Sequence, residues 1–161
     1  MGKQKGFSLI ELLIVVAIIL IIASIAIPNL LRARIAANEA SAVASIRTIN
    51  TAMISYNSSY PTVGFAANLS TLGGTCTGTT VPTSATACLI DSTLAAGTMS
   101  GYTFNAAGSG GSPASTYVAY GNPLTSNSTG VRSFCSVQDA VVRVAGTASV
   151  STCAGTETPL Q

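Results

Sequence analysis

The strongest pattern in the chain is an uninterrupted apolar run. Residues 12–27 read LLIVVAIILIIASIAI, with Ser24 the sole polar side chain. Extended back to Phe7 the segment holds 21 residues. As a helix that is about 31 Å at a rise of ~1.5 Å per residue, the thickness of a bilayer's hydrocarbon core. A secretory signal's apolar core is shorter and closes on a small-residue cleavage site, so the run predicts one membrane span. Beyond Pro28 the pattern changes. Leu31, Ile35, Ala42, Ile46, Ile49 and Met53 recur at steps of three, four or seven, and Arg32, Asn38, Glu39, Arg47 and Asn50 fall largely elsewhere around the helix. That spacing predicts an amphipathic continuation, giving one long helix over 7–57, kinked at Pro28, which removes an N–H and clashes with a preceding carbonyl.

After Pro61 the period shortens. Residues 62–88 read as a surface loop and 88–96 as a short helix closed by Gly97. Four runs rich in Tyr, Phe, Val and Thr follow at 101–104, 116–120, 131–137 and 140–144, separated by Gly, Pro, Asn and Ser as in an antiparallel meander. A sheet laid on the second half of the long helix makes an α+β head. The expected organisation is 1–6 leader, 7–28 membrane helix, 29–57 amphipathic helix and 58–161 globular head.

Composition narrows the function. Of the 161 residues only 7% are charged and 48% are hydrophobic, against about 25% charged in ordinary soluble domains. This balance excludes a disordered charged tail and a nucleic-acid-coating protein. There is no histidine, which removes imidazole bases, His-ligated zinc and Ser-His or Cys-His pairs. No catalytic constellation remains among five carboxylates and many hydroxyls, so no enzyme and no cofactor are expected. Arg32, Arg34 and Arg47 with Glu39 read as a solvated helix face with local pairs. With no basic runs and no interleaved aromatics they make no clear nucleic-acid site.

Charge also sets direction. Lys3 and Lys5 precede the span and the next basic residue is Arg32, so the positive-inside bias keeps the N-terminus cytoplasmic and exports the rest. An exported head keeps disulfides. Four cysteines allow three pairings. Cys76 with Cys88 and Cys135 with Cys153 close the shortest loops, the second pinning the C-terminal tail to a strand. A metal site is the rival reading, but the ligand spacing is too wide and no histidine completes it. Asn57, Asn68 and Asn127 each open an Asn-x-Ser/Thr triplet, a pattern that chance supplies in a chain with 40 Ser and Thr.

Glu11 breaks the apolar segment. An ionised carboxylate at the bilayer centre costs about 2.5–3.5 kcal/mol on insertion scales, so it needs a partner or an interfacial position. The opening MGKQKG followed by FSLIELLIVVAIILIIASIAIP resembles the prepilin signature of type IV pilins and pseudopilins: a basic leader ending in Gly, then Phe, then a carboxylate at the fifth mature position. The likeness covers about the first 55 residues. It implies cleavage after Gly6 by a prepilin peptidase that also methylates the new Phe7 amine. It further implies pairing of that amine with Glu11 of a neighbouring subunit during assembly.

The resemblance implies a precursor held in the inner membrane with a periplasmic head, handled by inner-membrane assembly machinery and polymerised as a homo-oligomeric helical filament at the cell surface. A pseudopilin of a type II secretion system is the alternative within the family. Some pseudopilins bind calcium through clustered acids, and Asp91, Asp139 and Glu157 are scattered. From another class, a membrane-anchored ligand-binding module would keep its N-terminus unprocessed. One departure stands out: Leu20 occupies a position where the family commonly has Gly, leaving Pro28 as the helix breaker of that segment.

Overall fold

The structure is a computed structural model that describes residues 7–74, 76, 78–149 and 152–160. The expected leader, including Gly6, lies outside the described residues. Helix α1 spans Leu9–Ser59 and carries Pro28 within it. The chain divides into two compact units, Met1–Arg34 and Ile35–Gln161.

In the first unit no described side chain is buried. Its Ile, Leu and Val residues recur on every side of the helix, which an amphipathic helix does not do and a membrane helix does. At Ser24 the hydroxyl donates to the Ile21 carbonyl at 2.8 Å, a local back-bond that spares a serine an unmatched hydroxyl in an apolar setting.

The second unit has its own core. From α1 it takes Ala42, Ile46, Ile49, Met53 and Tyr56, at steps of four, three, four and three. These meet a six-stranded antiparallel sheet in simple sequential order: β1 Thr98–Met99, β2 Tyr102–Ser109, β3 Thr116–Pro123, β4 Ser133–Val137, β5 Arg143–Ala145 and β6 Thr158–Pro159. Strand alternation decides which residues face the helix. Tyr102, Phe104 and Ala106 of β2 are buried in that core, and the residues between Tyr102 and Ala106 are otherwise exposed. Gly121 pairs with Phe104 across β2 and β3. A Cβ there would come within 2.9 Å of the Phe104 ring, so the ring needs the glycine.

Strand β4 is buried along its whole length. Phe134 belongs to the helix-facing core, and Cys135 and Val137 join Val118, Ala148 and Cys153 in a second small cluster. The tail thus covers the other face of the sheet. A buried polar bridge fixes the register of helix on sheet. The Asn50 amide donates to Ser136 Oγ at 2.9 Å and to the Ala140 carbonyl at 3.3 Å, and its Oδ1 accepts from the Tyr117 hydroxyl at 3.2 Å. Asn50 is therefore an interface residue, where the helical spacing had set it apart from the apolar face.

Several local expectations change. The helix expected at 88–96 is a single turn, α3 Ser92–Ala95, because Cys88 has φ of +54° and Asp91 caps the turn by accepting from Thr93 and Leu94. Gly97, at φ of +80°, closes it. The loop at 62–88 contains a short helix, α2 Leu69–Leu72, capped by Asn68. Strands β1 and β6, two residues each, lie outside the four expected runs, and Leu31 and Val131 are exposed.

Candidate functional site: the N-terminal turn of the apolar helix

Ser8 is the residue at which the helix starts: its carbonyl accepts the first helical bond, from the Leu12 N–H, at 3.2 Å. Three residues on, Glu11 sits in the first turn and its Oε2 accepts the Ser8 N–H at 3.1 Å. Ser-x-x-Glu is the sequence of a capping box, in which the acid reaches back to the backbone N–H of the capping residue. The four leading N–H groups of a helix have no partner inside it, and a carboxylate there also meets the positive end of the helix dipole. Among the described residues Glu11 Oε1 takes no hydrogen bond. Phe7, immediately before, is 86% exposed. The turn therefore presents one unused carboxylate oxygen beside an exposed aromatic.

The sequence reading singled out Glu11 for its cost in lipid and missed Ser8, although the Ser-x-x-Glu spacing was there to be read. Of the other predicted positions, Pro28 lies inside α1. The four cysteines form two disulfides, Cys76–Cys88 and Cys135–Cys153, with Cα separations of 5.7 and 6.1 Å. The first closes the loop after α2, and the second ties the tail to β4.

A second acid on the same helix behaves differently. Glu39 is buried and takes three hydrogen bonds and an ion pair from one short segment. Its Oε1 accepts the N–H groups of Val131 and Arg132 at 3.0 and 3.1 Å, and its Oε2 accepts Arg132 Nε at 2.8 Å and stands 2.7 Å from Nη2 in the ion pair. Burial pushes this carboxyl up, but the two backbone N–H groups and the Arg132 guanidinium outweigh it, so its pKa lies below the usual value. The Asn38 amide donates to the Thr129 carbonyl at 2.8 Å, and the Tyr102 hydroxyl donates to the Arg132 carbonyl at 2.8 Å. Gly130 lets the segment pass over Tyr102, whose hydroxyl would stand 2.1 Å from a Cβ at that position. The local helix-face pairing expected for Glu39 is thus replaced by a pairing to Arg132, 93 positions away.

The remaining acids are also engaged. Asp139 accepts from the Arg143 guanidinium and from the Val141 N–H, and its pKa is lowered, chiefly by Arg143. Glu157 accepts the Ala154 N–H at 2.8 Å, the first cause of its lowered pKa. Cys135, Cys153 and Glu157 bring two sulfurs and a carboxylate within 4.8 Å, but the two sulfurs are bonded to each other and offer no thiolate. Burial raises the hydroxyls of Tyr102 and Tyr117 to about 12, with a smaller push from Glu39 and Asp139 respectively.

The match to a family model falls on the same end of the chain. Residues 1–27 match the Prokaryotic N-terminal methylation motif. The chain is 64% identical over 39 residues to the type IV wide pilus major component PilA4 of Thermus thermophilus, covering 24% of this chain and 30% of that protein. It is 43% identical over 65 residues to type II secretion system core protein G of Vibrio cholerae, covering 38% and 44%. With the protein of the same name from Escherichia coli it is 38% identical over 63 residues, covering 37% and 43%. The chain spans less than half the length of these curated relatives. No solved structure matches it. Residues 1–27, which lead into the exposed apolar helix, thus carry a prokaryotic N-terminal methylation motif, and over part of its length the chain is similar to a type IV pilus component and to type II secretion core proteins G.

Proposed function

We propose that the protein is a structural subunit of a type IV pilus-like filament, polymerised through its N-terminal helix. The observation that carries this reading is the exposed apolar helix of the first unit, headed by Phe7 and by a Glu11 carboxylate with one oxygen unused. An apolar surface of that extent is stable only in lipid or against copies of itself. Both settings belong to such a subunit in turn: residues 7–28 hold the precursor in the membrane, with the head on the periplasmic side, and then pack in the filament core. Residues 29–57 carry the head, 58–161.

In this reading a prepilin peptidase removes residues 1–6 after Gly6 and the Phe7 amine is methylated. Cleavage removes Lys3 and Lys5 and creates an amine at the edge of the apolar segment. That amine and a neighbour's Glu11 are each costly alone in hydrocarbon and neutralise each other when they meet, which sets one subunit against the next. Pro28 marks the weak point of the helix. The head's two disulfides suit an oxidising, extracytoplasmic setting.

A role in a type II secretion pseudopilus is the second reading, favoured by the two matches to core protein G. Negative-stain microscopy of sheared surface material, with intact-mass analysis of the filament band, tests both. Long filaments built mainly of a chain that starts at methylated Phe7 are expected for the pilus reading, and short or absent filaments with processed chain for the pseudopilus. A chain that keeps Met1 and never polymerises contradicts both and leaves a membrane-anchored binding module.

A further inference from the structure

The Glu11 carboxylate is asked to receive a neighbour's amine, yet in the isolated chain one of its oxygens is already held by the Ser8 N–H at 3.1 Å. Those two uses are compatible. A carboxylate offers two oxygens and about four lone-pair sites, and Oε1 takes no hydrogen bond among the described residues. The Ser8 N–H lies on the Phe7 side of Glu11, so the bond draws the side chain back along the helix toward its start. Without it the carboxylate, on a stem with three rotatable bonds, would sample rotamers that turn it into lipid or up the helix, and each encounter with an amine would have to order it afresh.

We infer that Ser8 is a positioning residue for subunit assembly: its backbone N–H fixes one oxygen of Glu11 at the helix start, so that the other is held ready for the neighbour's amine. The inference rests on the pairing role given to Glu11 above and adds a donor to it. In lipid there is no water to take over the Ser8 N–H if Glu11 leaves it, so an amine that pulled Glu11 away would strand a backbone donor. An amine that binds the free oxygen strands nothing. The positions of both residues follow from that economy, since a carboxylate three residues past the capping residue is where its own N–H can be reached. The Ser8 hydroxyl is not part of the device, which makes the inference easy to separate from a simple loss of polarity.

Two experiments on the full chain test it. The sequence contains one Phe-Ser dipeptide, at Phe7-Ser8, so carbonyl-13C phenylalanine with 15N serine gives a single Ser8 amide signal in detergent micelles. In the wild type and with Glu11→Gln, whose amide oxygen keeps the acceptor, that signal is expected at the position of a bonded amide, and with Glu11→Ala it shifts to that of a free amide. A Ser8 signal that ignores the change to Ala overturns the inference. In cells, Ser8→Ala keeps the N–H and is expected to assemble filaments as the wild type does. Ser8→Pro removes the N–H at a helix start that tolerates proline, and is expected to be inserted and processed while filament yield falls about tenfold, the worth of one hydrogen bond to a charged group. Equal yields from Ser8→Ala and processed Ser8→Pro overturn the positioning role. If Ser8→Pro is not processed, the amide signal decides alone. Normal assembly with Glu11→Gln and Glu11→Ala overturns the pairing role itself, and with it the purpose of the positioning, whether or not the Ser8 bond exists.

Discussion

Glu11 and Glu39 lie on one helix and could hardly be used more differently. Glu39 is buried in the head and saturated, with two backbone N–H groups and a guanidinium on its two oxygens. Glu11 is exposed in the apolar unit and half used, with a single backbone donor on one oxygen. The saturated acid joins two distant parts of one chain and has nothing left to offer another molecule. In the proposed filament the unsaturated one sits where water is missing, and its partner comes from a neighbouring subunit. The same contrast separates the two units as wholes: Ile35–Gln161 covers its apolar side chains with a sheet, and the described part of Met1–Arg34 covers none. A head that folds on itself and a helix that needs surroundings are what a polymerising membrane precursor requires.

The largest effect expected is the loss of filaments on replacing Glu11 by Ala, with insertion intact or improved, because a carboxylate in lipid costs about 2.5–3.5 kcal/mol. The head's melting temperature should not move, and a drop in it would erase the contrast with Glu39. Exchanging Cys153 for Ser should lower head stability by about 3 kcal/mol, the worth of a loop of this size in the chain-entropy model. The tail after Val144 should become the first site of proteolysis. Cuts arising first inside β2 or β3 would contradict this. Replacing Glu39 by Ala should cost the head about 2 kcal/mol, since it strands two backbone N–H groups and half-exposed Arg132 gives only a screened pair. Denaturant unfolding measures it.

Smaller still is the pH effect. Glu39 and Asp139 have lowered pKa values in the folded state, so their stabilisation is present above the ordinary carboxylate range and disappears as pH falls through their folded values. Head stability should decline below about pH 4, and Glu39→Gln should make that decline shallower. At the alkaline end, Tyr102 and Tyr117 titrate at about 12 when folded. Their contribution is complete below the ordinary tyrosine range and is lost between about pH 10 and 12. A thermal-melt series across pH reads both limbs.

The elements that sequence made legible are those with a repeating cause. The apolar run set the first half of α1, the three-four spacing its second half, and β-rich runs between Gly and Pro marked β2 to β5. Both disulfide pairs coincide with the shortest loop closures. What stayed hidden has no period. Strands β1 and β6 are two residues long and exist because a neighbour offers an edge. The pairing of Glu39 with Arg132 depends on Gly130 and Tyr102 bringing a loop to the helix, and helix-face reasoning points Glu39 to solvent. Asn50 reads as a polar helix residue until Tyr117 and Ser136 are seen opposite it. At the N-terminus the reverse holds: Ser-x-x-Glu is a local signal, and the cost of Glu11 in lipid drew the reading past it.

The central claim is that one subunit's Phe7 amine meets the next subunit's Glu11. A filament map at side-chain resolution tests it most directly. The account predicts the Phe7 nitrogen within about 4 Å of a carboxylate oxygen of a neighbouring Glu11, the distance of an ion pair. A map with Glu11 facing no amine, or with every Phe7 amine turned to solvent, would contradict it.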